Sequence, residues 1–546
     1  KCLLCNQVIM SNWGWRGTVR NDSLNIQLGG TSGNEVEYPD VRVKDPDTGK
    51  PNRKNVASYV AITRESVNIP DAYTADGFDF SGTREFDQTT GYRSTSFLAV
   101  PLMPHQGAVI GVLQLINAKD STSGKVIPFA EDIEGFVLAL ATQAAVALEN
   151  QNLLNAQRAL LDSFIELIVG AIDAKSHYTA GHCARVPEIA KLLADAACGE
   201  DSGEFADFLM TDEEFYEFRI GAMLHDCGKV TTPEYVVDKA TKLETIYNRI
   251  HEIRTRFEVM IRDARISFLE RQQNGSENEE KLQTTYEADV AKLHDDFAFI
   301  ANCNIGSEFM DDDKKERVKE IASRTWLWYM DNRLGLSRDE EKQKDCEADS
   351  KLPVEEKLLS NRVDHIVSRT IPNPFGDNPW GFTIDVPKYF YNYGEVYNLC
   401  IERGTLTSEE RFKINDHVIQ TITMLEQLPF PEHLRQVPEI AGGHHETLIG
   451  TGYPRRLKKQ DMSVKTRIMV IADIFEALTA PDRPYKEGKT LNQALKIMSF
   501  MCKDQYIDNE LFNLFLNAGI YKTYAKKYLD PAQIDNVDIS QFMWNE

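Results

Sequence analysis

The sequence predicts a multidomain chain: a mixed α/β sensory domain, a long connecting helix, and an all-α domain interrupted by a large, mostly helical insertion. Three observations predict this. At 546 residues the chain exceeds one ordinary core, and its length suggests about three to four domains. Between Thr18 and Ala118 it consists of short β-rich runs broken by Gly, Pro, Asn and Asp. Beyond them apolar residues recur at spacings of three and four, the period of helices.

Hydrophobic residues at 42% and charged residues at 27% are an ordinary globular composition, with enough apolar surface to fold. A net charge of −23 argues against a chain that grips nucleic-acid backbone, since such binding draws its energy from basic side chains. It leaves room for a small anionic ligand, because bound cations and a few Lys or Arg reverse the field locally. Nine scattered cysteines without a short-spaced framework suit reduced thiols in the cytoplasm, and the lone Cys2/Cys5 pair reads as incidental. No apolar run reaches the roughly 18 to 20 residues of a membrane span.

Residues 1–134 form the first domain. The runs Phe97–Leu102 and Val109–Ile116 are its clearest strands. The segments at Asn55–Ala61, Asn68–Tyr73, Asp87–Arg93 and Gly111–Asn117 together resemble GAF domains. Residues 1–17, with Trp13 and Trp15, depart from that pattern, as do Asn117-Ala118, Phe129 and Ile133-Glu134 where nucleotide-binding members carry a signature. A small ligand and a structural or dimerising role therefore both stay open for this domain.

Residues 135–165 read as the connecting signalling helix. Phe136, Leu140, Ala144 and Ala147, then Leu153, Leu160, Phe164 and Leu167, give it an apolar stripe, with polar Glu149–Asn152 between. A parallel homodimer through this helix is the preferred reading, against a helix packed only on its own domains.

The chemistry lies in Tyr178–Val186, Leu224–Lys229, His417, His444-His445-Glu446 with Gly450–Pro454, and Ala472–Thr479. This ordered set resembles the HD-GYP family, placing its two parts at 166–243 and 403–546. Imidazoles and carboxylates suit borderline divalent metals, and a carboxylate can bridge two ions. The resemblance implies two ions, iron or manganese first and zinc or nickel next. Asp226 would lie between them, with His182, His225 and Asp473 on one and His417, His444 and His445 on the other. It further implies Lys229 as electrostatic stabiliser, with Arg185, Arg483, Lys486 and Tyr453 as substrate contacts. Glu476 stands where relatives commonly have Asp. No serine or cysteine nucleophile is required, so Cys183 and Cys227 read as packing residues.

Residues 244–402 are the insertion. Ile250, Ile253, Phe257, Met260, Ile261 and Ile266, then Tyr286, Val290, Leu293 and Phe297, predict a helical hairpin turning near Asn274–Asn278, with helix continuing through Trp326–Met330. Ile371–Phe382, rich in Pro and Gly, reads as a loop packed on its own subdomain, with an aromatic lid as alternative. Asp311–Asp313 reads as a solvated charge run.

The resemblance implies a cytoplasmic, GAF-regulated phosphodiesterase cleaving cyclic di-GMP to pGpG or GMP through a metal-bridging hydroxide. Cyclic GMP-AMP is a competing substrate. A weakly active cyclic-dinucleotide receptor that recruits diguanylate cyclases through the Gly-Tyr-Pro loop is the reading from another class.

Overall fold

The computed structural model describes residues 23–24, 41–44, 49–91, 93–104, 107–175, 181–275, 278–306, 309–344, 351–372, 374–480 and 488–544. The chain divides into two compact units, Lys1–Ser163 and Phe164–Glu546. Expectations for Cys2, Cys5, Trp13, Trp15, Tyr178, Arg483 and Lys486 lie outside the described residues.

In the first unit Val67–Ile69, Phe97–Leu102 and Gly111–Ile116 form an antiparallel sheet, with Ala99 opposite Val67 and Phe97 opposite Ile116. Strand side chains alternate between faces. Phe97, Ala99, Val112 and Ile116 pack on Val56, Ala57 and Val60 of the helix Val56–Thr63, which Asn55 caps. Leu98, Val100, Leu102 and Leu115 pack instead on Val137, Ala141 and Ala145. Helices on both faces explain why these strands are apolar at nearly every position. Asn117, at φ 59°, accepts from the Thr95 N–H at 2.7 Å and donates to the Arg93 carbonyl at 2.7 Å. Its amide thus stitches the entry of one strand to the exit of another.

Glu131–Lys175 is one 45-residue helix, running past both ends of the expected segment. The stripe named from sequence is not the one that meets the sheet. Phe136, Leu140, Leu153, Leu160, Phe164 and Leu167 are exposed, whereas Val137, Ala141 and Ala145, about 100° around the helix, are buried.

The second unit is a helical bundle. Val186, Ile189 and Leu193 of the helix His182–Cys198 pack on Ile468, Ile471 and Phe475 of Val464–Thr479, and on Phe512, Phe515, Tyr521 and Tyr524. Asp212–Leu224 and Ser408–Glu426 each begin in a capping box, Thr211 with Glu214 and Thr407 with Glu410.

The hairpin of the insertion is present as helices Ile250–Gln273 and Glu279–Ile305, with Phe257 on Phe297 and Phe268 on Tyr286. It has its own core, where Ile253, Phe257, Leu293 and Ile300 meet Val318, Ile321 and Leu358. Asp311 caps the helix Asp312–Ala322 by accepting from the Lys314 N–H at 2.8 Å, so the acidic run serves a helix start. Two expectations are corrected. Trp326 and Trp328 lie in a strand, Thr325–Trp328, paired with Val354–Lys357; the two tryptophans fall at alternate positions on its half-buried face, which suits a strand better than a helix. The 371–382 loop packs beyond its own subdomain, setting Phe375, Trp380 and Phe382 against Val418, Ile419 and Ile422 of Ser408–Glu426.

Both ends of the insertion are pinned where it leaves and rejoins the bundle. Buried Lys239 donates to Glu410 at 2.8 Å, and Lys242 donates to the carbonyls of Leu399 and Ile401 at 2.9 and 2.7 Å. An insertion closed at its base in this way adds a subdomain without pulling apart the helices that bracket it.

Candidate metal centre

Four of the expected ligands are aimed by their own backbone or by a partner carboxylate. The Nδ1 of His225, His417 and His444 each faces the carbonyl three residues earlier, Ala222, Ile414 and Ala441, at 2.8, 2.6 and 2.6 Å. A carbonyl only accepts, so Nδ1 must carry the proton and Nε2 presents a lone pair. His182, at the first turn of its helix, is held instead through Nδ1 by Glu476.

These lone pairs converge on one carboxylate. Asp226 Oδ2 lies 3.3 Å from His182 Nε2 and 3.4 Å from His225 Nε2, while Oδ1 lies 3.2 Å from His417 Nε2 and 4.0 Å from His444 Nε2. Asp473 Oδ1 is 3.2 Å from His182 Nε2 and 3.7 Å from His225 Nε2. Two imidazole lone pairs, those of His182 and His225, approach to 3.2 Å. Acceptors facing acceptors in a buried site are stable only with a cation or proton between them. The Nε2 atoms of His417 and His444 are buried without a hydrogen-bond donor among the described residues, which is the same demand at the second position.

Two sets therefore fit a divalent ion: His182, His225 and Asp226, and His417, His444 and His445. In each, the ligating atoms lie within 4.8 Å of one another. The donor chemistry, nitrogen-rich with carboxylate, fits two borderline cations, and Asp226 belongs geometrically to both sets.

The surroundings set the charge. Burial alone would keep Asp226 and Asp473 neutral; Lys229 and the imidazoles around Asp226, and His182 and His225 beside Asp473, hold both carboxyls well below the usual range. Burial pushes His444 down and His445 to about 3, so both offer neutral rings. Burial opposes a proton on His182, yet Asp226, Asp473 and Glu476 raise its affinity well above ordinary, showing how strongly this half of the centre attracts positive charge. Lys229 Nζ lies 2.5 Å from Asp226 Oδ2, and its side chain is 27% exposed against 2% for Asp226. Its ammonium is thus paired with the shared carboxylate, while part of its side chain reaches solvent. Lys229 sits on the short 3-10 turn Cys227–Thr231, not on the helix that ends at Leu224.

Arg185 reaches a carboxylate beside the centre. Its Nε donates to Glu476 Oε1 at 2.7 Å, so it orients the carboxylate that orients His182. Tyr453 stacks on His445, rings 4.7 Å apart and 18° from parallel, and packs against the cluster of Phe382 and Val418. Its loop is closed by Glu446, which accepts from the N–H groups of Arg455 and Leu457 at 2.7 and 2.9 Å. Burial pushes the Cys227 thiol up to about 11 and the Cys183 thiol well above its ordinary value, in keeping with packing roles.

Thr421 and Gly228 hold the two halves together, and Thr383 braces the Tyr453 turn. Thr421, one turn after His417, accepts from the Gly228 N–H at 2.9 Å and donates to the His225 carbonyl at 3.1 Å. Gly228 allows that approach, since a Cβ there would lie 1.9 Å from the His417 carbonyl oxygen. Thr383 of the insertion donates its N–H to the Pro454 carbonyl at 2.8 Å, tying the aromatic loop to the Tyr453 turn. Thr421 was detectable as the i+4 neighbour of His417; Thr383 carried no sequence signal.

Comparisons with known proteins agree with this architecture. A GAF domain model matches residues 23–148 and an HD domain model residues 350–511. The HD match takes in His417, His444, His445 and Asp473, while His182, His225 and Asp226 precede it. A 3'3'-cGAMP-specific phosphodiesterase 3 of Vibrio cholerae is 41% identical over 105 residues, 19% of this chain and 22% of the relative. A 3'3'-cGAMP-specific phosphodiesterase 1 of the same organism is 31% identical over 145 residues, 25% of this chain and 33% of the relative. A cyclic di-GMP phosphodiesterase of Thermotoga maritima is 35% identical over 98 residues, 18% and 26% respectively. The matches thus span a third or less of these relatives. The chain is a GAF-domain and HD-domain protein related to several cyclic-dinucleotide phosphodiesterases.

Proposed function

From a GAF- and HD-domain chain with this centre, we propose a metal-dependent phosphodiesterase of the HD-GYP type that hydrolyses a cyclic dinucleotide. The observation that carries the reading is Asp226, whose two oxygens face two separate sets of imidazole lone pairs. When bound, a pair of divalent cations supplies Lewis-acid charge to a phosphodiester and lowers the pKa of water at neutral pH.

The chain's own groups do the rest. Asp226 and Asp473 keep the centre ionised, and Glu476 fixes the His182 tautomer. Lys229, the cation paired with Asp226, meets an incoming phosphate and opposes its growing negative charge. The Tyr453 ring walls the pocket beside His445. Cyclic di-GMP is the first substrate proposed, and the names of the two Vibrio relatives favour testing cyclic GMP-AMP beside it. We also propose a homodimer through the Glu131–Lys175 helix, whose Phe136, Leu140, Leu153, Leu160, Phe164 and Leu167 are exposed in the single chain.

The test is hydrolysis of both dinucleotides by manganese- or iron-loaded protein, beside Asp226→Ala, with products separated by chromatography. Turnover that disappears in the variant supports the reading. No turnover of either substrate by protein shown to hold metal would overturn it.

A further inference from the structure

We propose that a cavity along Ser408–Glu426, distinct from the metal centre, is a second ligand site, which takes a single guanine-type base. The cavity measures about 300 Å³ and is formed where the insertion's aromatic loop lies over the helix. Glu409, Phe412, Lys413, Asp416, Gln420 and Thr423 face it at helical spacing. His417 and Thr421 of the same helix turn to the centre. Small-molecule pockets run from about 300 to 1,000 Å³, so this one suits one base and not a whole dinucleotide.

Its lining combines flat apolar faces with charges of both signs. Phe375, Trp380 and Phe412 supply rings, with Phe375 5.7 Å from Phe382 and 6.3 Å from Phe412. Arg369 lies over Phe412 and Phe390, 4.8 and 5.7 Å from the ring centroids, and its Nε donates to the Pro387 carbonyl at 2.7 Å. The guanidinium is therefore held in place, with its terminal nitrogens making no hydrogen bond among the described residues. Glu409 is buried; its Oε2 accepts from Tyr397 at 3.1 Å and Ser408 at 3.2 Å, while Oε1 accepts from none among the described residues. Asp416, also buried, pairs with Lys413 at 3.0 Å.

A ligand for this lining must stack on rings while offering acceptors to a guanidinium and donors to a carboxylate. Guanine does all three: O6 and N7 form the edge that arginine grips in a fork, and N1–H with the N2 amino group is a donor pair for a carboxylate. Adenine has no such donor pair. None of these residues is a candidate metal ligand, so the site stands whether or not the centre hydrolyses cyclic dinucleotides.

The test is calorimetric titration of GMP and AMP into the full chain, as chelator-treated wild type and as Asp226→Ala, which separates this site from nucleotide held at the metal centre. GMP is expected to bind both, with AMP at least tenfold weaker. Glu409→Gln, Arg369→Lys and Trp380→Ala should each weaken GMP at least tenfold with unchanged circular dichroism. Absence of GMP binding in both metal-free forms would overturn the proposal. So would equal affinity for AMP, or GMP affinity unmoved in the folded variants. Hydrolysis by metal-loaded wild type is measured separately, so the two proposals fail independently.

Discussion

Replacing Gly228 by alanine should separate the two halves of the metal centre. A methyl there would lie 1.9 Å from the His417 carbonyl oxygen, 2.6 Å from the Thr421 nitrogen and 2.8 Å from the His417 carbonyl carbon. All three are backbone atoms of one helix, and ordinary contact is at about 3.5 Å. The turn carrying Asp226 must then retreat by about 1.5 Å, on that contact distance. Asp226 Oδ1 now sits 3.2 Å from His417 Nε2, so the retreat breaks the geometry on which shared ligation depends. Overpacking costs about 1 to 3 kcal/mol. Loss of the two Thr421 hydrogen bonds adds about 1 kcal/mol each. For a unit of about 380 residues, whose melting entropy scales with its size, that predicts a melting temperature lower by roughly 4 to 6 °C. A displacement of about 1 Å in a catalytic constellation can cost on the order of 100-fold in rate. Differential scanning calorimetry, elemental analysis of bound metal and dinucleotide hydrolysis read the three effects. A variant melting within about 1 °C of wild type, with its full metal content, would refute the claim that this backbone contact holds the centre together.

Other perturbations follow from the same geometry. Glu476→Gln keeps the shape but removes the charge that fixes His182, and should lower metal affinity or activity by roughly 10- to 100-fold, read by metal titration. Tyr453→Ala removes the ring stacked on His445 and should cost about 1 kcal/mol beyond lost burial, seen in a denaturant midpoint shift against Tyr453→Phe. His365, in the insertion, is pushed down to about 4 chiefly by burial, and its Nδ1 faces the Arg362 N–H at 3.4 Å. The unfolded chain therefore binds this proton first: stability is full above pH about 6.5 and lost as pH falls toward 4, by at most about 3 kcal/mol. His365→Gln should show a shallower fall in melting temperature across that window, and an equal slope in both proteins would count against the assignment.

The sequence alone determined the parts that depend on residue type and period. The unbroken apolar runs gave the central strands, and the three-four spacing gave the long helix and the hairpin of the insertion. Seven candidate ligands could be named because His-Asp and His-His pairs have few other reasons to occur in such an order. Tertiary structure decided what contact alone can decide. Which stripe of the long helix meets the sheet differs by one residue, a rotation that composition hardly registers. Trp326 joined a strand because Val354–Lys357 was there to pair with it. Arg185 turned to Glu476, and Thr383 reached Pro454, because residues far apart in the chain were brought within hydrogen-bond distance. The division of Asp226 between two groups of histidines likewise rests on Gly228 and Thr421, which hold two distant segments in backbone contact. A linear pattern can name the ligands of a buried charge, but their distances are set by the packing that excludes water around it.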